Sequence, residues 1–232
     1  MKTKNYLLLF LAMLAMGAFL QAQVPHYVPT NGLVGWWPFN GNANDESGNG
    51  NNGPVNGATL TTDRLGNANK AYSFDGINDL ITIPHSSSLV FTGSEISISF
   101  WVKLDNYQTN GKWNNNIYKA SYPGLQPDGF RCGFSNQGGT NMGFYIANGS
   151  YTTAKMVSSN YQTYIGLNNW RHVLYTNDNS NLKLYIDGIL IGQKSNSGTT
   201  IGPSSDPLYF GGPNQPNTST DEFFAGHMDD IG

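Results

Sequence analysis

Carboxylates, histidines and one thiol are the groups in this sequence that could do catalytic chemistry. The glutamates are Glu46, Glu95 and Glu222, and the histidines are His26, His85, His172 and His227. A retaining glycosidase needs two carboxylates about 5 Å apart. A zinc protease needs His-Glu-x-x-His, and a serine hydrolase of the elbow type needs Gly-x-Ser-x-Gly; neither motif occurs. His172 follows Arg171 in a strand-like run, where neighbours face opposite ways. It therefore reads as a hydrogen-bonded structural residue rather than a base. Cys132 alternates with Phe130 and Phe134 and reads as a small buried apolar residue, not a nucleophile. Gly48-Asn-Gly-Asn-Asn-Gly53 matches the dinucleotide-binding glycine pattern. That mechanism needs a helix N-terminus next, and Pro54-Val-Asn-Gly57 follows instead, so the match is rejected.

Two segments could bind without reacting. Residues 40–53 are dense in Asn, Asp, Glu and Gly, and Ca²⁺ takes six to eight oxygens from such groups. Asn40, Asn42 and Asn44 copy the start of an EF-hand, but Asp45 stands where Gly is required and no Glu closes the loop. An EF-hand is excluded. The second segment is Lys112-Trp-Asn-Asn-Asn116, with Tyr107, Tyr118 and Tyr122 around Trp113. Glycan sites combine aromatic platforms with amide hydrogen bonders, and loops on rigid scaffolds carry binding. Trp113, Tyr107, Tyr118 and Tyr122 are thus the candidate ligand-binding residues. Trp36, Trp37, Trp101 and Trp170 fall in predicted strands and read as core.

The elements that would position these groups are strands. Ile96, Ile98, Phe100, Val102 and Leu104 alternate with Ser97, Ser99, Trp101 and Lys103, which is the pattern of a sandwich strand. Phe130 to Phe134 pairs with Met142 to Ala147 across Gly138-Gly139. Trp170 to Asn177 turns into Leu182 to Ile186, and Asp187-Gly188 leads to Ile189 to Gln193. Asp-Gly between apolar runs predicts a type I′ hairpin, which needs positive φ at both residues. Further strands are predicted at Leu33 to Phe39, Ala71 to Phe74, Leu80 to Pro84, Leu208 to Gly211 and Phe224 to Ile231. No stretch after the first twenty-odd residues holds a helical period. About a dozen short strands imply an all-β antiparallel sandwich or jelly roll.

Composition agrees. The chain has 232 residues, 28 Gly, 12 % charged residues and a single Cys. Asn is about as frequent as Gly, several-fold above ordinary usage. One Cys excludes a disulfide framework, and 13 % aromatics exclude a disordered chain. Lys2 and Lys4 precede an apolar run from Tyr6 to Leu20, and Leu20-Gln21-Ala22 offers a small residue before Gln23. This is the pattern of a cleaved signal peptide over residues 1–22, and the run is short for a membrane span. No Cys near the junction could carry a lipid. The remaining domain, residues 23–232, has 10 basic and 15 acidic residues, a net charge of −5. That argues against a nucleic-acid partner, which needs a basic face.

Five segments in order resemble a bacterial laminin-G-like (LamG) domain. They are Ala71-Tyr-Ser-Phe-Asp-Gly76 with Asp79 and Ile81-Thr-Ile-Pro84; Ile96-Ser-Ile-Ser-Phe-Trp-Val-Lys103; Asn169-Trp-Arg-His-Val173; Leu184-Tyr-Ile-Asp-Gly188; and Phe224-Ala-Gly-His-Met-Asp-Asp-Ile231. The resemblance implies the concanavalin A-like jelly roll. That fold hosts both glycan-cleaving enzymes and binding modules, so fold alone does not decide. Glucanases of this fold carry Glu-x-Asp-x-x-Glu on one strand, and that motif is absent. The resemblance therefore implies a non-catalytic module of the bacterial exterior, secreted or at the cell surface, binding a glycan or an extracellular protein. The alternatives are a structural spacer in a large surface protein and, third, a diverged hydrolase. Such domains often hold a structural Ca²⁺ between an N-terminal loop and an acidic residue of the last strand. The matching positions are Asp45 with its loop and Asp229 or Asp230, with the Gly48 carbonyl and an Asn side chain, Asn40 or Asn51, as companions. Strand alternation lets only one of the two Asp side chains face such a site. The resemblance also implies residues beyond Gly232. The expectation is a last strand cut short, an unfilled sheet position, and further domains of a longer parent chain.

Overall fold

The structure, a computed structural model, describes residues 24–107, 113–121, 128–135, 141–150, 155–213 and 222–232. Its strands are β1 (Val55–Asn56), β2 (Thr59–Thr61), β3 (Ala71–Asp75), β4 (Leu80–Ile83), β5 (Ile96–Lys103), β6 (Trp113–Ser121) and β7 (Asp128–Ser135). Then follow β8 (Asn141–Ala147), β9 (Lys155–Asn160), β10 (Arg171–Asn177), β11 (Asn181–Ile186), β12 (Ile189–Ser195), β13 (Leu208–Phe210) and β14 (Ala225–Asp229). Among the described residues the only helical piece is a 3₁₀ turn, Ser87–Leu89. The strands form two seven-stranded sheets, ordered β1-β4-β13-β6-β7-β8-β9 and β12-β11-β10-β5-β14-β3-β2, and the strand pairs within them are antiparallel. This is the all-β jelly-roll sandwich expected from the strand pattern.

Alternation builds the core. Ile98, Phe100 and Val102 of β5 and Val173 and Tyr175 of β10 turn inward and are buried. They meet Phe130, Cys132, Phe134 and Phe144 of the facing sheet in one cluster. Tyr175 joins the two layers, with its ring 6.1 Å from Phe100 and 5.5 Å from Phe144. Each such ring or branched side chain contributes roughly 1.5–3 kcal/mol on burial. Asp187 and Gly188 have φ of 48° and 78°, as the type I′ hairpin between β11 and β12 requires.

Two local readings are corrected. The predicted strand Leu33 to Phe39 is an irregular segment whose only β-pairing, among the described residues, is the isolated bridge Trp37–Ile231. The Trp36 N–H donates to Asp45, its carbonyl accepts from the Glu46 N–H, and Phe39 turns with φ of 51°, so no ladder forms on either side. Conversely, Trp113 to Asn116 is not a loop. It opens β6, a strand inside the sheet between β13 and β7.

Candidate functional site

On β7, Phe130, Cys132 and Phe134 are in the core, so Arg131 and Gly133 face outward. Directly opposite partners share a face. Tyr118 lies opposite Arg131, and Asn115 opposite Gly133. The register slips between Asn115 and Ile117, which leaves Asn116 as the extra residue of a β-bulge. The slip brings Trp113 onto the same outer face as Tyr118. The side chain of Trp113 reaches β8, where its six-membered ring lies over Gly143: a Cβ there would meet Cζ3 and Cη2. Gly143 thus leaves bare backbone that the indole covers, while a Cβ at Gly133 would meet the backbone of Asn114 and Asn115.

Beside this strip runs a row in register across six strands: Met156, Tyr145, Arg131, Tyr118, Tyr209 and Thr82. The Arg131 guanidinium stacks on Tyr145 at 4.8 Å from the ring centre, and the rings of Tyr118 and Tyr209 are 6.3 Å apart. Trp113, Arg131 and Tyr145 are half-buried and Met156 is exposed. Tyr145 is two residues from Gly143 on the same face, about 7 Å along the strand. Indole, phenol and guanidinium therefore form one surface, suited to the C–H faces and hydroxyls of a sugar.

The other predicted ligand residues behave differently. Tyr118 lies on the predicted face but is only 1 % exposed, in a small cluster with Ala120 and Tyr209; it supports the surface from within. Tyr107 packs against the main core beside Tyr161, 5.9 Å away, rather than beside Trp113. Tyr122 lies outside the described residues. Arg131 and Tyr145 were missed, although each sits between inward-facing apolar neighbours, a signal that places it outside. Of the four tryptophans read as core, Trp36 and Trp37 are buried, while Trp101 and Trp170 are half-buried on the outer face of the second sheet.

The residues proposed for Ca²⁺ fall into separate networks. The Asp45 carboxylate accepts three backbone N–H groups: Oδ1 from Trp36 and Ser47, and Oδ2 from Asn51. Gly48, with φ of 95°, turns the same loop. The Asn51 amide donates to the Val34 carbonyl and accepts from the Ser86 hydroxyl at 2.7 Å. Asn40 Oδ1 accepts from Lys70 Nζ. Asp229 and Asp230 both reach Arg64 Nη1, at 2.8 and 2.6 Å. Strand alternation would send these two carboxylates apart. Asp230 has φ of 47°, which ends the strand and turns its side chain to the same guanidinium. Burial, and then the neighbouring Asp230 carboxylate, push Asp229 up to about 7; burial raises Asp230 as well. As placed, these residues do not converge on one ion: the Asp45 carboxylate is taken up by three backbone N–H groups, and one oxygen each of Asp229 and Asp230 is taken up by Arg64. Among the described residues, no group of three or more His, Cys, Asp or Glu is placed to hold a metal.

A cleft of about 1200 Å³ opens between residues 27–37 and the strands β5 and β10. Ser99, Trp101 and His172 line it, with the Ser99 hydroxyl 2.7 Å from His172 Nε2. Burial lowers the His172 pKa, and its backbone N–H is held by Asp187. The imidazole is thus tied to the strand, as expected of a structural histidine. Two buried donors of residues that also line the cleft, Trp36 Nε1 and Asn177 Nδ2, have no partner among the described residues.

A family model described as the concanavalin A-like lectin/glucanases superfamily matches residues 74–232. The chain belongs to that superfamily. Solved structures of similar fold include the binding domain of Paraclostridial Mosquitocidal Protein 1, with a TM-score of 0.68 and 20 % identity over 87 % of this chain and 48 % of that one. Domain 4 of AbnA, an extracellular arabinanase from Geobacillus stearothermophilus solved with arabinotriose, aligns with a TM-score of 0.61 and 21 % identity, covering 86 % of this chain and 90 % of that one. The ligand binding domain of botulinum neurotoxin serotype D, solved with N-acetylneuraminic acid, aligns at 0.64 and 18 % over 87 % and 47 %. The chain spans about half the length of the two toxin domains. No curated protein matches it. Among the described residues no helix is long and apolar enough to cross a membrane. The superfamily fold accounts for both sheets but leaves the choice of site to the side chains.

Proposed function

We propose that the chain is a non-catalytic carbohydrate-binding module of the bacterial exterior, exported through residues 1–22. The observation that carries this reading is the outer face of β6–β9, where Trp113 covers Gly143 and Arg131 stacks on Tyr145 in the neighbouring row. Two similar structures were solved with sugars, arabinotriose and N-acetylneuraminic acid, which makes a saccharide the first ligand class to test. A non-catalytic role is favoured because Glu46, Glu95 and Glu222 lie apart in sequence and do not form the glucanase motif, and Asp229 and Asp230 are both paired with Arg64.

The test is retention of the chain by immobilised or soluble polysaccharides, neutral and sialylated, followed by the same measurement on Trp113→Ala and Tyr145→Ala. Binding lost in both variants supports the outer-face site. Binding that survives in both moves the site to the cleft beside Trp101. No retention by any glycan overturns the reading and leaves a structural spacer.

A further inference from the structure

The last-strand carboxylates meet a cation that the chain itself supplies. Arg64 Nη1 is within 2.8 Å of both Asp229 and Asp230, whose side chains are 3 % and 11 % exposed. The guanidinium also lies over the Trp101 ring, 4.8 Å from its centre, so it is held from two sides. Asp63, next to Arg64, is engaged in its own turn through Leu65 and Asn67. Asn40, Asp63, Lys70, Asp229 and Asp230 line one small cleft with Arg64, and there Lys70 Nζ donates to Asn40. Each carboxylate named here, and the Asn40 amide, thus has at least one protein donor.

We infer that Arg64 is a built-in counter-cation: its guanidinium stands where a divalent ion would otherwise bridge Asp229 and Asp230, so that the fold needs no metal there. The arrangement is specific to a positive charge of fixed reach. Asp230 turns its side chain back with a left-handed backbone, φ of 47°, a conformation Asp adopts more readily than most residues. The turn brings its carboxylate to the same guanidinium nitrogen that Asp229 meets. Two buried carboxylates without a cation repel each other and lose solvation. Removing Arg64 should therefore both weaken the fold and leave Asp229 and Asp230 facing a place that a hard cation can take.

The experiment compares the purified full chain with Arg64→Ala and Arg64→Gln, each in EDTA and in millimolar CaCl₂, by thermal unfolding and by Tb³⁺ luminescence. The expected result has two parts. The unaltered chain melts at the same temperature in both buffers. The Arg64 variants melt lower in EDTA, regain at least about 2 °C in CaCl₂, and lose that gain when Asp229→Asn is added. A fall in the melting temperature of the unaltered chain in EDTA overturns the inference, because the native fold would then depend on a metal. A folded Arg64 variant that binds neither Ca²⁺ nor Tb³⁺ also overturns it, because the guanidinium would then hold no place for an ion. If Arg64→Ala does not fold, Arg64→Gln keeps most of the stem and hydrogen-bonding reach without the charge, and the unaltered chain still tests the first part.

Discussion

Trp113 and Tyr118 are five residues apart on one strand and face the same way. An odd separation should place them on opposite faces. The bulge at Asn116 adds the residue that restores the phase. A surface that needs both the indole and the neighbouring row therefore depends on one asparagine, whose carbonyl also accepts the Gly211 N–H at 3.0 Å. Deleting Asn116 would turn Trp113 inward and Asn114 outward. The expected outcome is loss of glycan retention with a lowered melting temperature. Trp113→Ala, which leaves the ladder intact, should weaken retention about tenfold or more with little change in stability, since truncating a central aromatic anchor costs roughly 2 kcal/mol or more. Affinity electrophoresis and thermal unfolding on the two variants separate the effects.

Lys119 makes a pH prediction. Its position opposite Phe130 turns it inward, and it is 1 % exposed, with Nζ donating to the Asp206 carbonyl at 2.6 Å. Burial lowers its pKa to about 8. An unfolded lysine titrates near 10.4, so between those values the unfolded chain binds more protons and stability rises with pH. The contribution is fully present above the unfolded value and is lost as pH falls through about 8. Lys119→Met should remove this slope. Denaturation of both proteins at several pH values should show the variant's advantage at neutral pH shrinking as pH rises; an advantage independent of pH would show that Lys119 does not change charge there.

Much of the sandwich was legible because period-2 alternation and turn chemistry are local signals. β5 and the Asp187-Gly188 hairpin were read from their own residues. β6 was not, because Asn114, Asn115 and Asn116 are poor strand formers, yet all three are buried in the sheet. Their place is fixed by pairing with β7, which is a long-range fact. The apolar run Leu33 to Phe39 failed in the opposite sense: it is buried, but the carboxylate of Asp45 takes the N–H a ladder would use. The site was legible at Trp113 and hidden at Arg131 and Tyr145. The Arg64–Asp229 contact spans 165 positions, and no local pattern announces it.

Two glycines with the same backbone hand should respond differently to Ala. Gly188 has φ of 78° and open space where a Cβ would go. Gly188→Ala should cost about 1 kcal/mol, the price of a left-handed residue alone. Gly211 has φ of 95°, and its Cβ would come within 2.4 Å of the Phe74 ring and 2.7 Å of the Asp79 carbonyl. Phe74 is core and Asp79 is fixed by its bond to the Asp75 N–H, so neither gives way easily. Gly211→Ala should cost several times more, or prevent folding. Equal melting temperatures for the two variants would mean that the β13 end is less tightly packed than the structure shows.

Cys132 tests the core directly. It is fully buried between the sheets, and burial raises its thiol pKa well above the usual value. The thiolate is the reacting form, so two barriers protect it: solvent cannot reach the sulfur, and little of it is ionised at neutral pH. A thiol reagent such as DTNB should label the native chain at least about a hundredfold more slowly than the urea-unfolded chain, because labelling must await opening. Sub-denaturing urea should raise the rate in step with the loss of stability. Cys132→Ala should abolish labelling and keep glycan retention, since the outer face is carried by Arg131 and Gly133 rather than by the residue between them. Rapid labelling of the native chain would mean that the two sheets part at β7, the strand on which the proposed platform rests.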